Sequence, residues 1–360
     1  MKNILTIVGA RPQFVKAAAL SREIQEHTAL REFILHTGQH YDANMSQQFF
    51  DQLKIPKPHK VLAPDRSNSS AFIGDTIAQI GNQIEQLKPD AVLVYGDTYS
   101  TLAGAIAANA HSIPLAHVEA GLRSFNRKMP EEHNRVVTDH LSDLLFCPSH
   151  SAVTNLANEN IQSSKSRVVT FVGDIMFDAL QLFSPFGEAP GDIDLTKEFI
   201  LMTIHRPVNV DDEKNLTQIV KVINQCAEDF NVIWPMHPRT QTRLLEFGLS
   251  TSGGVTVIEP ASYLQMLYLL RHCKLVLTDS GGLQKEAFFS GKTCLVARDE
   301  TEWTELVDCQ ASVLIGNGMS MCDDITALCV GLPQNKLSDE SPYGDGDTRK
   351  KIVSQLVDYL

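Results

Sequence analysis

The sequence predicts an α/β protein built from two doubly wound, Rossmann-like domains, and three observations carry that reading. Short apolar runs alternate with segments whose apolar residues recur at helical spacing, the pattern of successive βα units. The runs are nearly continuous rather than alternating, as strands covered on both faces of a parallel sheet require. The pattern then restarts in the second half of the chain, which at 360 residues has the length for two domains.

Strands are expected over residues 4–9, 32–37, 91–95, 114–118, 144–147 and 168–172, with helices over 14–24, 73–87 and 131–140. The second series has strands over 198–203, 231–234, 255–258, 275–278, 293–297 and 313–315, with helices over 213–230, 263–271, 283–289 and 322–330. Residues 184–192 hold two prolines and two glycines without periodicity and read as the linker. Gly173-Asp174 already ends the sixth strand, so the hinge is set a little before that stretch. Ligands of such domains bind at the carboxyl ends of the strands, here in a cleft between the two sheets.

Composition narrows the function. The chain has 31 basic against 43 acidic residues, a formal charge of −12, and no basic stripe. That argues against nucleic acid or an anionic membrane as partner. A phosphate ligand would then be held by a few placed cations rather than by the overall field. The seven cysteines, at 147, 226, 273, 294, 309, 322 and 329, form no CxxC pair and read as reduced core residues of a cytoplasmic protein. The N-terminal run is too short to span a bilayer and lacks a cleavage pattern, so it reads as a first strand.

The motifs fall where strands end. Lys274-Leu-Val-Leu-Thr278 breaks on Asp279-Ser280-Gly281-Gly282 into a helix start. Free N–H groups there, and the positive end of the helix dipole, make an anion site suited to phosphate. Glu286 is expected in the first turn of that helix, within reach of sugar hydroxyls. Gly9-Ala-Arg11-Pro-Gln-Phe-Val-Lys16 opens a helix after the first strand and sets two cations near its start; it is not a GxGxxG fingerprint. Gly96-Asp97-Thr98 follows another strand, with helix capping by Asp97 as the simpler alternative. His117-Val-Glu119-Ala-Gly-Leu-Arg123 ends the next, ahead of Met129-Pro-Glu131-Glu132-His-Asn-Arg135, where Pro130 and two acids signal a helix start. Glu131 and Arg135 share one helix face. Thr203-Ile-His205-Arg206 offers charge for a pyrophosphate and a proton donor, and His237-Pro-Arg239 repeats the idea one strand on.

Taken in order, GARPQFVK, TGQHYD, GDT, HVEAGLRS, MPEEHNR, TIHR, TDSGGLQKEA and RDETEW resemble the non-hydrolysing UDP-N-acetylglucosamine 2-epimerases over essentially the whole chain. The resemblance implies a GT-B fold and homodimers that invert C2 of a UDP-linked 2-acetamido sugar with no nicotinamide or metal, for surface polysaccharide synthesis. It implies anti elimination of UDP to a 2-acetamidoglycal and re-addition with the proton delivered to the opposite face. Both faces then need acid/base groups. The matching catalytic positions are Asp97, Glu119, Glu131 and His205, with the carboxylates moving protons at C2 and His205 assisting the diphosphate. UDP would be held by Arg11 and Lys16, by the Ser280-Gly281-Gly282 turn, and at its ribose by Glu286. Arg135 would orient Glu131 or contact phosphate. The resemblance also makes residues 348–359 a closing helix. The domains are then 1–178 with 345–360, and 179–344.

The chain departs from the pattern in places. Pro207-Val208-Asn209 replaces a common Glu-Asn after His-Arg, and Glu300-Thr301-Glu302-Trp303-Thr304-Glu305 replaces a Thr-Thr-Glu-Arg-Pro-Glu run. Tyr41-Asp42-Ala43-Asn44 follows Gln39-His40, where some members carry a regulatory UDP-sugar site. These features point toward the subgroup acting on modified sugars such as UDP-2,3-diacetamido-2,3-dideoxyglucuronate. Three alternatives stand beside that reading. A hydrolysing relative would release N-acetylmannosamine and UDP, but carries Arg-Ala-(Asp/Glu)-Tyr in place of Arg11-Pro12-Gln13-Phe14. A GT-B glycosyltransferase would need an acceptor site. A UDP-sugar sensor would have no use for three carboxylates.

Overall fold

Each half of the chain buries its apolar runs in a separate parallel sheet. The computed structural model describes residues 1–39, 50, 52–191, 193–195, 197–321, 324–331 and 341–360. They form two compact units, Met1–Leu182 with Ser341–Leu360, and Phe183–Glu340.

The first unit runs β1 (Lys2–Val8), α1 (Arg11–Glu26), β2 (Leu30–His36), β3 (Lys60–Val61), α2 (Ser69–Leu87), β4 (Ala91–Tyr95) and α3 (Tyr99–Ala110). It continues through β5 (Leu115–Val118), α4 (Pro130–Leu141), β6 (Leu144–Cys147), α5 (His150–Asn158), β7 (Val168–Phe171) and α6 (Ile175–Phe183). Its strands lie in the order β3-β2-β1-β4-β5-β6-β7, each parallel to its neighbour. Ile4 to Ile7 of β1 and Ala91 to Tyr95 of β4 are fully buried at every successive position, because both faces of this sheet are covered.

The second unit begins with a 3-10 turn at Ser184–Phe186, then β8 (Phe199–Thr203), α7 (Pro207–Val210), α8 (Glu213–Cys226), β9 (Asn231–Pro235), α9 (Pro238–Glu246) and β10 (Val255–Ile258). After these come α10 (Tyr263–His272), β11 (Leu275–Thr278), α11 (Gly281–Phe289), β12 (Cys294–Val296), α12 (Thr304–Asp308), β13 (Ser312–Leu314) and α13 (Ile325–Gly331). The sheet order is β10-β9-β8-β11-β12-β13, again parallel. The last helix, α14 (Thr348–Tyr359), belongs to the first unit, where its Arg349 meets Glu23 of α1 and Asp178 of α6 at 3.1 Å. Asp178 also accepts from the Thr348 and Arg349 N–H groups and so caps that helix.

Several elements differ from the sequence expectation. Helix α3 carries no amphipathic stripe: it is rich in Ala and Gly and buried on several sides, and Gly104 packs directly on Val94 and Ile7. Helices α5, α6, α7, α9 and α12 and the two-residue edge strand β3 also lie outside the expected set. Helix α8 stops at Cys226, four residues early, where the chain turns through Ala227–Phe230 into β9. Helix α13 starts at Ile325; Cys322, and with it the expected start, lies outside the described residues, as do Asp192 of the linker and His40-Tyr41-Asp42-Ala43-Asn44. Cys147, Cys226, Cys273, Cys294 and Cys329 are buried, whereas Cys309 is exposed. Among the described residues, no helix is long and apolar enough to cross a membrane.

Candidate active site

In each sheet the strand order reverses at one point, between β1 and β4 in the first unit and between β8 and β11 in the second. Chains leave such a switch point in opposite directions, opening a crevice at the carboxyl ends of the two strands. Gly9–Arg11 and Gly96–Thr98 leave the first switch point; Ile204–Arg206 and Asp279–Ser280 leave the second.

At the first, Asp97 is 30% exposed at its side chain and is held from α4. Arg135 Nη2 donates to its carboxylate, and Asn134 Nδ2 donates 2.8 Å to its carbonyl. Asp97 is not the cap of α3; Thr98 is, accepting from the Thr101 N–H. Burial raises the Asp97 carboxyl above its usual range; Arg135 and Lys16 pull the other way, and Glu119 adds to the rise.

Glu119, 8% exposed, receives the Lys16 ammonium in a buried ion pair. Its φ is +73°, a conformation that costs a non-glycine residue on the order of 1–3 kcal/mol and that the surroundings must enforce. They do so here: the Glu119 and Ala120 N–H groups both donate to Phe146 O at 3.1 Å. Gly96, at φ +59°, lets the loop pass beside this pair, since a Cβ there would lie 3.3 Å from Glu119 Oε2 and 3.5 Å from Lys16 Nζ.

Gln13 fastens the two loops together. Its Oε1 accepts from the Gly9 and Ala10 N–H groups at 2.8 and 3.0 Å. Its Nε2 lies within 3.0 Å of Tyr95 O, Thr98 Oγ1 and Thr101 Oγ1. Arg11 is the exposed first residue of α1.

Helix α4 corrects one expectation. Arg135 reaches Asp97 and, at 3.0 Å, Glu132, whereas the expectation was that it would orient Glu131 or contact phosphate. Glu132 is the buried member of the acidic pair and accepts from Ser124 N, Ser124 Oγ and Phe125 N, each at 2.9 Å. Burial works to raise its carboxyl, but these donors and Arg135 bring it below the usual range. Glu131 stands exposed in the first turn, at the positive helix end.

At the second switch point, fully buried Asp279 organises the turn. Its carboxylate accepts from the His205 N–H at 3.1 Å, the Arg206 N–H at 2.9 Å and Asn209 Nδ2 at 3.0 Å. The His205 side chain is 42% exposed, with Nδ1 3.4 Å from Asp279 Oδ1. The His237 ring lies 5.9 Å away, centroid to centroid. Ser280 precedes α11 and its side chain makes no capping bond; Gly281 and Gly282 supply the first N–H groups. Gly282 faces open space, while a Cβ on Gly281 would strike Glu302. Glu286 is in the second turn of α11, not the first, because the helix already starts at Gly281.

Both departures from the usual pattern have structural work here. Asn209 donates to Ala297 O at 2.9 Å besides bonding Asp279. Trp303 Nε1 donates 2.9 Å to Gly281 O, and Arg298 pairs with Glu302 at 2.8 Å. Burial works to raise the Glu302 carboxyl, and Arg298, with Arg206 behind it, brings it below its usual range.

Comparison with known proteins settles the family. The profile described as UDP-N-acetylglucosamine 2-epimerase matches residues 22–357. The chain belongs to the UDP-N-acetylglucosamine 2-epimerase family. It is 46% identical over 99% of both chains to the UDP-2,3-diacetamido-2,3-dideoxy-D-glucuronate 2-epimerase of Pseudomonas aeruginosa. It is similar to the Methanocaldococcus jannaschii UDP-GlcNAc 2-epimerase solved with UDP-GlcNAc and UDP, at 36% identity and TM-score 0.85 over 98% of this chain and 99% of that one. The Neisseria meningitidis UDP-GlcNAc 2-epimerase bound to UDP-GlcNAc gives 31% identity and TM-score 0.87 over 99% and 100%. As an epimerase-family chain with two Rossmann-like sheets, the protein has the expected GT-B-type architecture of paired doubly wound units.

For this epimerase-family chain, the tie made by Gln13 and the anchoring by Asn209 and Asp279 are not spelled out by the motifs, and Glu132, expected only as a helix-start acid, also holds Arg135. Gln13 carried a signal, being the third helical residue after a strand end, where a Gln reaches back to the cap. Asp279 stood in plain view as an acid ending a buried strand before a Gly-Gly turn.

Proposed function

We propose that this chain inverts C2 of a UDP-linked 2-acetamido sugar without hydrolysing it, as an isomerase. The C2 proton is not next to a carbonyl, so its direct removal would leave a poorly stabilised carbanion. Elimination of UDP to a 2-acetamidoglycal avoids that, and re-addition delivers a proton to the other face. The observation that carries the reading is the pair formed by Asp97, at the first switch point, and Glu119, at the end of neighbouring β5. Two carboxyl groups stand close together with different partners, one raised by burial beside Arg135, the other bound to Lys16. Carboxyls with contrasting surroundings divide acid and base roles. Glu131 is the third proton-transfer group in this proposal.

The diphosphate is assigned to the Ser280-Gly281-Gly282 turn, whose N–H groups and helix dipole favour charge as it develops on the leaving group. His205 gives and takes the diphosphate proton. Glu286 accepts from the ribose hydroxyls, and Arg11 adds positive charge for UDP. Lys16, paired with Glu119, adds further positive charge for UDP. Arg135 orients Asp97.

The sugar is assigned as UDP-2,3-diacetamido-2,3-dideoxyglucuronate, supported by the relative of that name. UDP-N-acetylglucosamine is the second reading, favoured by the likeness to structures that hold it. A cytoplasmic homodimer serving surface polysaccharide synthesis completes the proposal, and sedimentation tests the dimer. Proton NMR with each sugar in deuterated water tests the reaction. A UDP-linked C2 epimer carrying deuterium at C2 is expected, faster with the diacetamido sugar. Free sugar with UDP would mean the hydrolysing reaction instead.

A further inference from the structure

His117 sits in β5 two residues before Glu119 and is fully buried. Each ring nitrogen faces an oxygen: Nδ1 is 2.7 Å from Asp139 Oδ1, and Nε2 is 2.7 Å from Gly96 O. A carbonyl only accepts, so Nε2 donates to Gly96, the peptide that leads into Asp97. Asp139, in α4, is fully buried too, and its other oxygen accepts from Gly121 N at 3.1 Å and Arg123 Nη1 at 2.7 Å. Arg123 continues to Glu159 through Nε and Nη2, both at 2.7 Å. The chain between these grips, Glu119 to Gly121, holds φ of +73° and +82° at its ends. Through Gly96 O and Gly121 N the network thus grips both the backbone just before Asp97 and the segment that carries Glu119.

We infer that His117 is a positioning residue for the epimerisation, a bridge from Asp139 to the Gly96 carbonyl that fixes the Asp97 and Glu119 carboxylates relative to each other. The inference rests on the proposed function for its kinetic consequence, and on geometry alone for the bridge. A bridge between a carboxylate and a carbonyl needs a proton on each side of the ring, so both nitrogens hold or share one. Burial works to raise the Asp139 carboxyl, but His117 and Arg123 hold it below the usual range, as this arrangement requires. The segment 118–121 would relax if the grip were lost, and misplacing a reacting group by about 1 Å costs on the order of a hundredfold in rate.

Three variants of the full chain separate the two bonds. His117→Gln puts an amide near Gly96 O, His117→Asn puts one near Asp139, and His117→Phe makes neither bond. The expected result is a kcat lowered about ten- to a hundredfold in the Asn and Phe variants, with KM within about threefold, and partial recovery of kcat in the Gln variant. Kinetics are normalised to folded enzyme by thermal melting. Wild-type kcat in folded His117→Phe, or losses shared equally by kcat and KM in all three, would overturn the positioning role. Independently, nitrogen-edited NMR of the wild-type protein should show two slowly exchanging ring N–H signals that vanish in His117→Gln; one signal or none removes the bridge. If the wild-type enzyme turns over neither UDP-sugar, the proposed function fails, and the two ring signals alone then decide whether the bridge exists.

Discussion

Asp97 and Lys16 carry the sharpest residue-level consequences. The Asp97 carboxyl is raised in the fold by burial against the pull of Arg135. Ionised Asp97 is therefore disfavoured by the native state, which loses stability as pH climbs through the raised value. Asn at this position escapes that loss. Melting of Asp97→Asn against wild type should show the variant the more stable at neutral pH, with the gap closing below the ordinary aspartate range. A variant less stable at neutral pH would contradict this. The same variant should lose about a hundredfold or more in kcat, the scale of a missing acid or base. At Lys16, removal of one partner from a buried pair leaves the other charge stranded, at about 3–5 kcal/mol. Lys16→Met should lower the melting temperature sharply, and adding Glu119→Gln should restore most of it. Equal, additive losses would mean that the pair is not formed in solution.

At the scale of elements, the loops after β1 and β4 behave as one unit because Gln13 ties them. Gln13→Glu keeps the shape but turns a carboxylate oxygen onto Tyr95 O, which cannot donate. The expected cost is about 1–3 kcal/mol, read as a lower denaturation midpoint, with kcat falling as Asp97 shifts. An unchanged midpoint would show that the tie contributes nothing. Elements are also where the sequence was most and least legible. β4, β10 and β11 were readable to the residue because buried parallel strands are written as short apolar runs. Helix α3 was not, since a helix packed on several sides has no polar face to set a period. In the site, strand ends with acids and a Ser-Gly-Gly turn were visible, so Asp97, Glu119 and Ser280 stood out. Partnerships were not: that Lys16 meets Glu119, and Arg135 meets Asp97 rather than Glu131, depends on how separate elements pack.

At the scale of the whole molecule, the first unit is closed by the end of the chain. Ile352, Val353 and Leu356 of α14 are buried, and Arg349 joins α1 to α6. Burying three aliphatic side chains is worth about 1.5–3 kcal/mol each, comparable to a domain's net stability. Removing residues 341–360 should thus unfold the first unit while the second retains its structure, seen as selective loss of amide protection in residues 1–182. Protection lost evenly through both units would refute that division. The Asp97–Glu119 site lies wholly in the unit so stabilised, so the truncated chain should also lose C2 exchange.

In the proposed reaction, proton transfer at C2 proceeds through departure of UDP. Its most direct test is UDP-sugar carrying oxygen-18 in the bond between C1 and the β-phosphorus, incubated with enzyme in deuterated water and followed by phosphorus and proton NMR. The label should scramble from bridging to non-bridging phosphate positions while deuterium enters C2, with both processes lost in Asp97→Asn. Deuterium entering C2 while the label stays in the bridge would contradict it.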